Sequence, residues 1–281
     1  MAMSNTLFPG VALVTGASSG IGRQIAISFA AEGCRKLALF DKNGNDLAET
    51  KSAIKNIAED AEVHLFETDN LDADQVFKNM SLVIAQFGRI DYAVNCAGMF
   101  YIFPCAQSTK SLGIYGPTKP SHNLTTAEFD HVMHTNFRGL WLCAREELNY
   151  MSTQDVGVTH DGRPGFRGSI VNVGSNLGLV GKPETPVYSA SKAAIISLTR
   201  SDAIDYAKHQ IRVNCVCPGV IDLRTPMTAD VPEDDPAVQT AVMKRKGTPQ
   251  EVADAVLFLS SPKASFIQGA ALSVDGGYTI S

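Results

Sequence analysis

Nowhere in these 281 residues do apolar side chains follow one another over the roughly 18 positions that a membrane-spanning helix needs. A membrane-spanning helix is not expected. Basic residues are neither abundant nor clustered: 24 Lys and Arg stand against 29 Asp and Glu, a formal charge of −5. A surface that neutralises nucleic-acid phosphates is not expected. The start, MAMSNTLFPG, has no basic region followed by an apolar run, so it does not read as a secretory leader. Six cysteines (Cys34, Cys96, Cys105, Cys143, Cys215, Cys217) lie mostly in apolar stretches rather than in a short loop-rich frame. They read as reduced thiols of a cytoplasmic protein, and the glycosylation sequons at Asn79 and Asn123 then read as chance matches. His131 and His134 share a helix face without a third ligand, so no metal is expected. What is present is ordinary: 44% hydrophobic and 19% charged residues, enough for a sizeable core.

Seven short β-rich runs punctuate the chain: Val11 to Thr15, Leu37 to Phe40, Val63 to Phe66, Tyr92 to Asn95, Ile170 to Val173, Val213 to Val216 and Ala271 to Val274. Between them, stretches such as Ile21 to Glu32, Asp72 to Phe87 and Ser189 to Lys208 repeat apolar residues at helical spacing. This alternation predicts right-handed βαβ units in an α/β fold, a doubly wound parallel sheet of about seven strands in a single domain spanning 1–281. Two stretches read as long loops inserted into that frame: Tyr101 to Asn123 and Thr153 to Gly168. The first follows the fourth strand at the carboxyl edge, and its Tyr101, Phe103 and Tyr115 suit an apolar wall of a substrate pocket. The second emerges at the opposite edge, where Asp155, Asp161, Arg163 and Arg167 are expected to be solvated. That both loops are surface decoration stays open as an alternative.

The first strand runs into Gly16-Ala-Ser18-Ser19-Gly20-Ile21-Gly22 and then a helix. Glycines let a pyrophosphate approach the backbone, and the helix N-terminus offers it unpaired N–H groups. Asp41 ends the second strand 19 residues beyond Gly22, the place of a carboxylate that accepts from an adenosine ribose. Its charge opposes a 2′-phosphate, so NAD is expected over NADP, although Lys42 beside it is a cation. The same turn also spells G-x-S-x-G, but Ser18 follows the first strand rather than a central one, which disfavours a hydrolase. Farther on, Tyr188 and Lys192 are four residues apart at the start of a helical pattern and share a face. A lysine beside a tyrosine in a cleft is expected to draw the phenol down toward working pH, for use as a general acid or base.

These motifs, with Asn95-Cys-Ala97-Gly98, Asn136 in HTNFRG, Ser175 thirteen residues before Tyr188, Pro218-Gly219 and Asp275-Gly-Gly277, resemble the short-chain dehydrogenase/reductase family from Val11 to Tyr278. The resemblance implies a Rossmann-type sheet and hydride transfer between NAD and a secondary alcohol or ketone. It implies a catalytic set of Asn136, Ser175, Tyr188 and Lys192. Tyr188 would transfer the proton, Lys192 would support it and hold the nicotinamide ribose, Ser175 would bind the reacting oxygen, and Asn136 would hold a water. The cofactor would lie along Gly16, Ser18, Ser19, Gly20, Ile21 and Gly22, with Asp41 at the ribose and Asp69 and Asn70 at the adenine. Asn95, Ala97, Gly98, Pro218, Gly219, Ile221 and Thr225 would complete its surroundings. Thr225 follows Pro218-Gly219 two residues later than the family's P-G-x-x-x-T, which leaves its approach to the carboxamide open. Helices around Thr125 to Met151 and after Tyr188 resemble the family's subunit-pairing helices, implying a homotetramer or else a homodimer. A dinucleotide-binding module of the same fold without catalysis is the competing reading.

Overall fold

Along Val11–Thr15 (β1), Ala12 and Val14 enter one apolar cluster and Leu13 another; along Lys36–Asp41 (β2), Leu37 and Leu39 part from Ala38 and Phe40 in the same way. Strands buried on both faces belong to a parallel sheet that helices cover on both sides. The computed structural model describes residues 6–98, 118–159, 161–223 and 231–281. The remaining strands are Glu62–Glu67 (β3), Tyr92–Asn95 (β4), Gly168–Val173 (β5), Ile211–Pro218 (β6) and Ala271–Val274 (β7). All pair in parallel, in the order β3-β2-β1-β4-β5-β6-β7. The seven predicted strands are present, and β2, β3, β5 and β6 are longer than expected because the residues flanking each apolar run also pair.

The helices are Gly20–Ala31 (α1), Gly44–Ile57 (α2), Ala73–Phe87 (α3), Thr126–Met133 (α4), Gly139–Thr153 (α5), Pro186–Tyr206 (α6), Pro236–Thr240 (α7) and Pro249–Ser260 (α8). Ile25 and Phe29 of α1 meet Val252 and Val256 of α8 over one face, while Met80 and Val83 of α3 meet Leu148 and Met151 of α5 over the other. Local signals start several of them: Asp72 accepts from Asp74 N and Gln75 N, and Thr125 with Glu128 forms a capping box. The helix expected around Thr125 to Met151 is interrupted by a π turn, His134–Arg138, whose wider winding buries Asn136.

The loop before β5 differs from expectation at one residue. Asp155, Asp161 and Arg163 are exposed, and Arg163 pairs with Asp161 at 2.9 Å. Arg167 is half-buried, its Nε donating to Gln154 O at 2.7 Å and its Nη1 to His209 O at 3.3 Å. Next to it, the Phe166 ring lies 6.1 Å from that of Tyr92. Guanidinium donors that satisfy two backbone carbonyls hold this side chain down, and so it is only partly solvated. Of the other loop, 101–117 lies outside the described residues; its end is tied in where Lys119 N donates to Glu184 O at 2.9 Å.

Because β1 sits between β2 and β4, the chain turns to one side after β1 and to the other after β3. At such a switch point the loops leaving the strands' carboxyl ends diverge and open a crevice.

Candidate active site

A cleft of about 610 Å³ opens there. From the turn after β1 it takes in Gly16, Ser18, Ser19, Gly20, Ile21 and Gly22. Gly16 has φ +70°, and a Cβ on it would stand 2.8 Å from Ala97 N; a Cβ on Gly22 would stand 2.1 Å from Gly16 O. Only glycine lets this turn pack on itself and on the end of β4. Ser19, the N-cap of α1, makes no side-chain cap, and the first turn holds no acidic residue. The leading N–H groups of α1 therefore face the cleft without a carboxylate of their own, which fits an anionic pyrophosphate.

Asp41, at the end of β2, lines the cleft, with Oδ2 accepting from Ser18 N at 3.2 Å and Oδ1 from Asn43 N at 3.1 Å. Each oxygen keeps a lone pair for a further donor. Lys42 lies on the same rim, as do Asp69 and Asn70 after β3. Ala97 and Gly98 line the cleft beyond β4, and Pro218, Gly219 and Ile221 line it beyond β6. Thr225 lies outside the described residues. Asn95 is in β4 and only 1% exposed, and its side chain turns from the cleft to Glu147 and Asn172, at 2.8 and 3.1 Å.

Ser175 follows β5, while Tyr188 and Lys192 stand one turn apart at the beginning of α6. All three line the cleft although each is less than 9% exposed. Ser175 Oγ accepts from Leu177 N at 3.2 Å and hydrogen-bonds the Tyr188 phenol. Lys192 Nζ donates to Val173 O at 3.3 Å and lies 5.8 Å from the centre of the Tyr188 ring. Asn136, at 2% exposure, donates to Ser191 Oγ at 3.2 Å. The place of a Cβ on Gly98 is 3.4 Å from Asn136 Oδ1 and 3.6 Å from Lys192 Nζ, so these two groups converge behind that glycine.

The expected acidification of the tyrosine is reversed. Burial pushes the Tyr188 phenol up to about 12, against the opposing pull of its hydrogen bond with Ser175. Burial also lowers the Lys192 ammonium, since removal from water disfavours either group's charged form. In this cleft Tyr188 is held as a protonated phenol.

Thr135, Val173 and Gly174 line the cleft without a role in the sequence analysis, and His131, one turn before Thr135, entered it only as an incomplete metal ligand sharing a helix face with His134. Which way that face turns depends on the π turn, which has no composition signal.

A family model described as enoyl-(acyl carrier protein) reductase matches residues 16–279. The cis-4-hydroxycyclohexanecarboxylate dehydrogenase of Sinomonas cyclohexanicum is 37% identical over 273 residues, 96% of this chain and 96% of that protein. The 2-(R)-hydroxypropyl-CoM dehydrogenase of Xanthobacter autotrophicus is 38% identical over 273 residues, 96% of this chain and 98% of that protein. The crystal structure of levodione reductase aligns with a TM-score of 0.82 at 32% identity, over 98% of this chain and 99% of that one.

Proposed function

The chain belongs to the short-chain dehydrogenase/reductase family and is an oxidoreductase using a nicotinamide dinucleotide; on that premise we propose that it moves hydride between NAD and a secondary alcohol or its ketone, with Tyr188 as acid and base. The observation that carries this reading is the convergence of Ser175, Tyr188 and Lys192 on a cleft that also holds Asp41. Asp41 ends β2 and Ser175 follows β5, three strands away. That is about 14 Å at the usual strand spacing, a span suited to an extended dinucleotide.

The nicotinamide, when bound, takes up or returns the hydride. The chain's own residues do the rest. The leading N–H groups of α1 receive the pyrophosphate, and Asp41 accepts from the adenosine ribose. Ser175 donates to the reacting oxygen, and Tyr188 gives that oxygen its proton in reduction or removes it in oxidation. Lys192 supports the negative charge that Tyr188 carries after giving up its proton. Relatives are named as dehydrogenases of cis-4-hydroxycyclohexanecarboxylate and of 2-(R)-hydroxypropyl-CoM and as a reductase of levodione, which supports an alcohol or ketone substrate and disfavours a silent module. A homotetramer, or failing that a homodimer, is part of the same proposal.

Tyr188→Phe tests it. The phenylalanine variant is expected to lose about 100- to 10,000-fold in turnover, the usual contribution of a general acid or base, while binding NADH as before. Turnover retained in that variant would assign proton transfer to another group. Failure of the unaltered protein to form NADH from any secondary alcohol would favour the silent module.

A further inference from the structure

Beneath the cleft-facing end of β4 lies an acid that the proposed reaction does not use. Glu147, on α5, is 0% exposed. The Asn95 amide nitrogen donates to Glu147 Oε2 at 2.8 Å and to Asn172 Oδ1 at 3.1 Å, and Asn172 donates onward to Thr199 Oγ1 at 3.0 Å. Two oxygens of this cluster are left over: Glu147 Oε1 and Asn95 Oδ1 are both buried and neither has a hydrogen-bond partner. Two orphaned acceptors on side chains already joined by one hydrogen bond make a costly arrangement if the acid is ionised. A proton on Oε1 satisfies both. The acid then donates to Asn95 Oδ1 while the amide donates to Oε2, closing a two-point ring.

The charges around Glu147 agree with this. Asp202 of α6 acts on it with its own sign, and burial with Asp202 holds its carboxyl up to about 8. On its own helix, Cys143 is buried, and Glu146 pairs with Arg145 at 2.8 Å. Asp74 and Lys78 of α3, and His134 and Arg138 of the π turn, are exposed. On β6, Arg212 is bonded to the carbonyls of Leu259, Ser260 and Ser261, and Cys215 and Cys217 contact each other. Tyr92 of β4 belongs to the opposite cluster, and Lys192 of α6 donates to Val173 O. Among the described residues, none of these cations pairs with Glu147.

Asn95 leads into the segment that meets the cleft. Thr15 Oγ1 accepts from Cys96 N and Ala97 N, each at 3.2 Å, so the strand end is pinned by Thr15 on one side and by the Asn95 side chain on the other. We propose that Glu147 is a positioning residue: held as a neutral acid, it rings with the Asn95 amide and fixes the strand end from which Cys96, Ala97 and Gly98 meet the cofactor. The positioning role rests on the reading of the cleft as an NAD(H) site. Ionisation removes the donor, leaves both oxygens buried without a partner and releases the strand end. NADH affinity is therefore expected to fall as the pH rises through the range where Glu147 ionises.

The test compares the unaltered protein with Glu147→Gln, whose amide reproduces both points of the ring without titrating. Between about pH 7 and about pH 9, NADH binding followed by fluorescence should weaken several-fold in the former and stay level in the latter. At neutral pH, the infrared difference between the two should contain the carbonyl band of a protonated carboxyl. The same band, lost on raising the pH of the unaltered protein, serves if the variant does not fold. An ionised carboxylate at neutral pH, or an equal decline in the glutamine variant, overturns the proposal and leaves the cofactor reading standing. No NADH binding at either pH overturns the cofactor reading, and the positioning role with it.

Discussion

Asp41 stands on the rim of the cleft with both oxygens steered by backbone N–H groups, and its charge is fixed where an adenosine ribose would lie. The nearest arginine in sequence to the glycine turn, Arg23, is committed elsewhere: Nε donates to Ser18 O at 2.8 Å, and Nη2 pairs with Glu49 at 3.1 Å. Among the described residues, Lys42 is the cation left on this rim. A carboxylate repels a 2′-phosphate and rewards two ribose hydroxyls, so Asp41→Asn is expected to shrink the NAD-over-NADP ratio of kcat/KM by about tenfold, about 1.4 kcal/mol. Steady-state kinetics with both cofactors measures this directly. An unchanged ratio would move the choice to another residue. The acid itself was legible from its distance to Gly22 and its place at a strand end, whereas the occupation of Arg23 was not, because Glu49 reaches it only once α1 and α2 pack.

Helix α8 shows how an element remote from the chemistry keeps the cleft in shape. Its last carbonyls have no partner within the helix. Arg212 of β6, 8% exposed, supplies one: it donates to Leu259 O at 2.7 Å and to Ser260 O and Ser261 O at 3.1 Å. Burial lowers the guanidinium to about 10, which still leaves it cationic at neutral pH, where it also complements the negative end of the helix dipole. Since α8 packs on α1, whose first turn opens on the cleft, this cap bears indirectly on the site. Arg212→Met should cost roughly 3 kcal/mol of stability in urea unfolding, because the carbonyls of Ser260 and Ser261 lose their donor and that of Leu259 keeps only Ser169 Oγ at 3.3 Å. A loss below about 1 kcal/mol would mean that water replaces the guanidinium. The sequence showed only an arginine at the start of a strand, a position that usually reads as an exposed edge.

At the scale of the molecule, apolar side chains remain exposed on α4, α5 and α6: Phe129 at 46%, Trp141 at 40% and Ile204 at 77%. Near β7, Phe266 is fully exposed and Ile280 is 83% exposed. Apolar side chains left exposed on these elements suit subunit contacts. Light scattering at micromolar concentration is therefore expected to give the mass of four chains. Two chains would leave the homodimer, and a monomer would refute the assembly altogether.

The sequence by itself determined the α/β alternation, the seven strands and the turn that only glycine can form, because hydrophobic periodicity and backbone sterics act over a few neighbouring residues. Spacing within one element also put Tyr188 and Lys192 on a shared helix face, and the resemblance to the family added Ser175 and Asn136 to them as the proposed set. Tertiary structure decided what those residues experience. Burial raises the Tyr188 phenol where a neighbouring lysine alone would lower it. The π turn buries Asn136, Asn95 faces Glu147 rather than the cleft, and Arg167 is drawn partly out of solvent. Each depends on partners far away in sequence, and a charge's free energy depends on everything that excludes water from it.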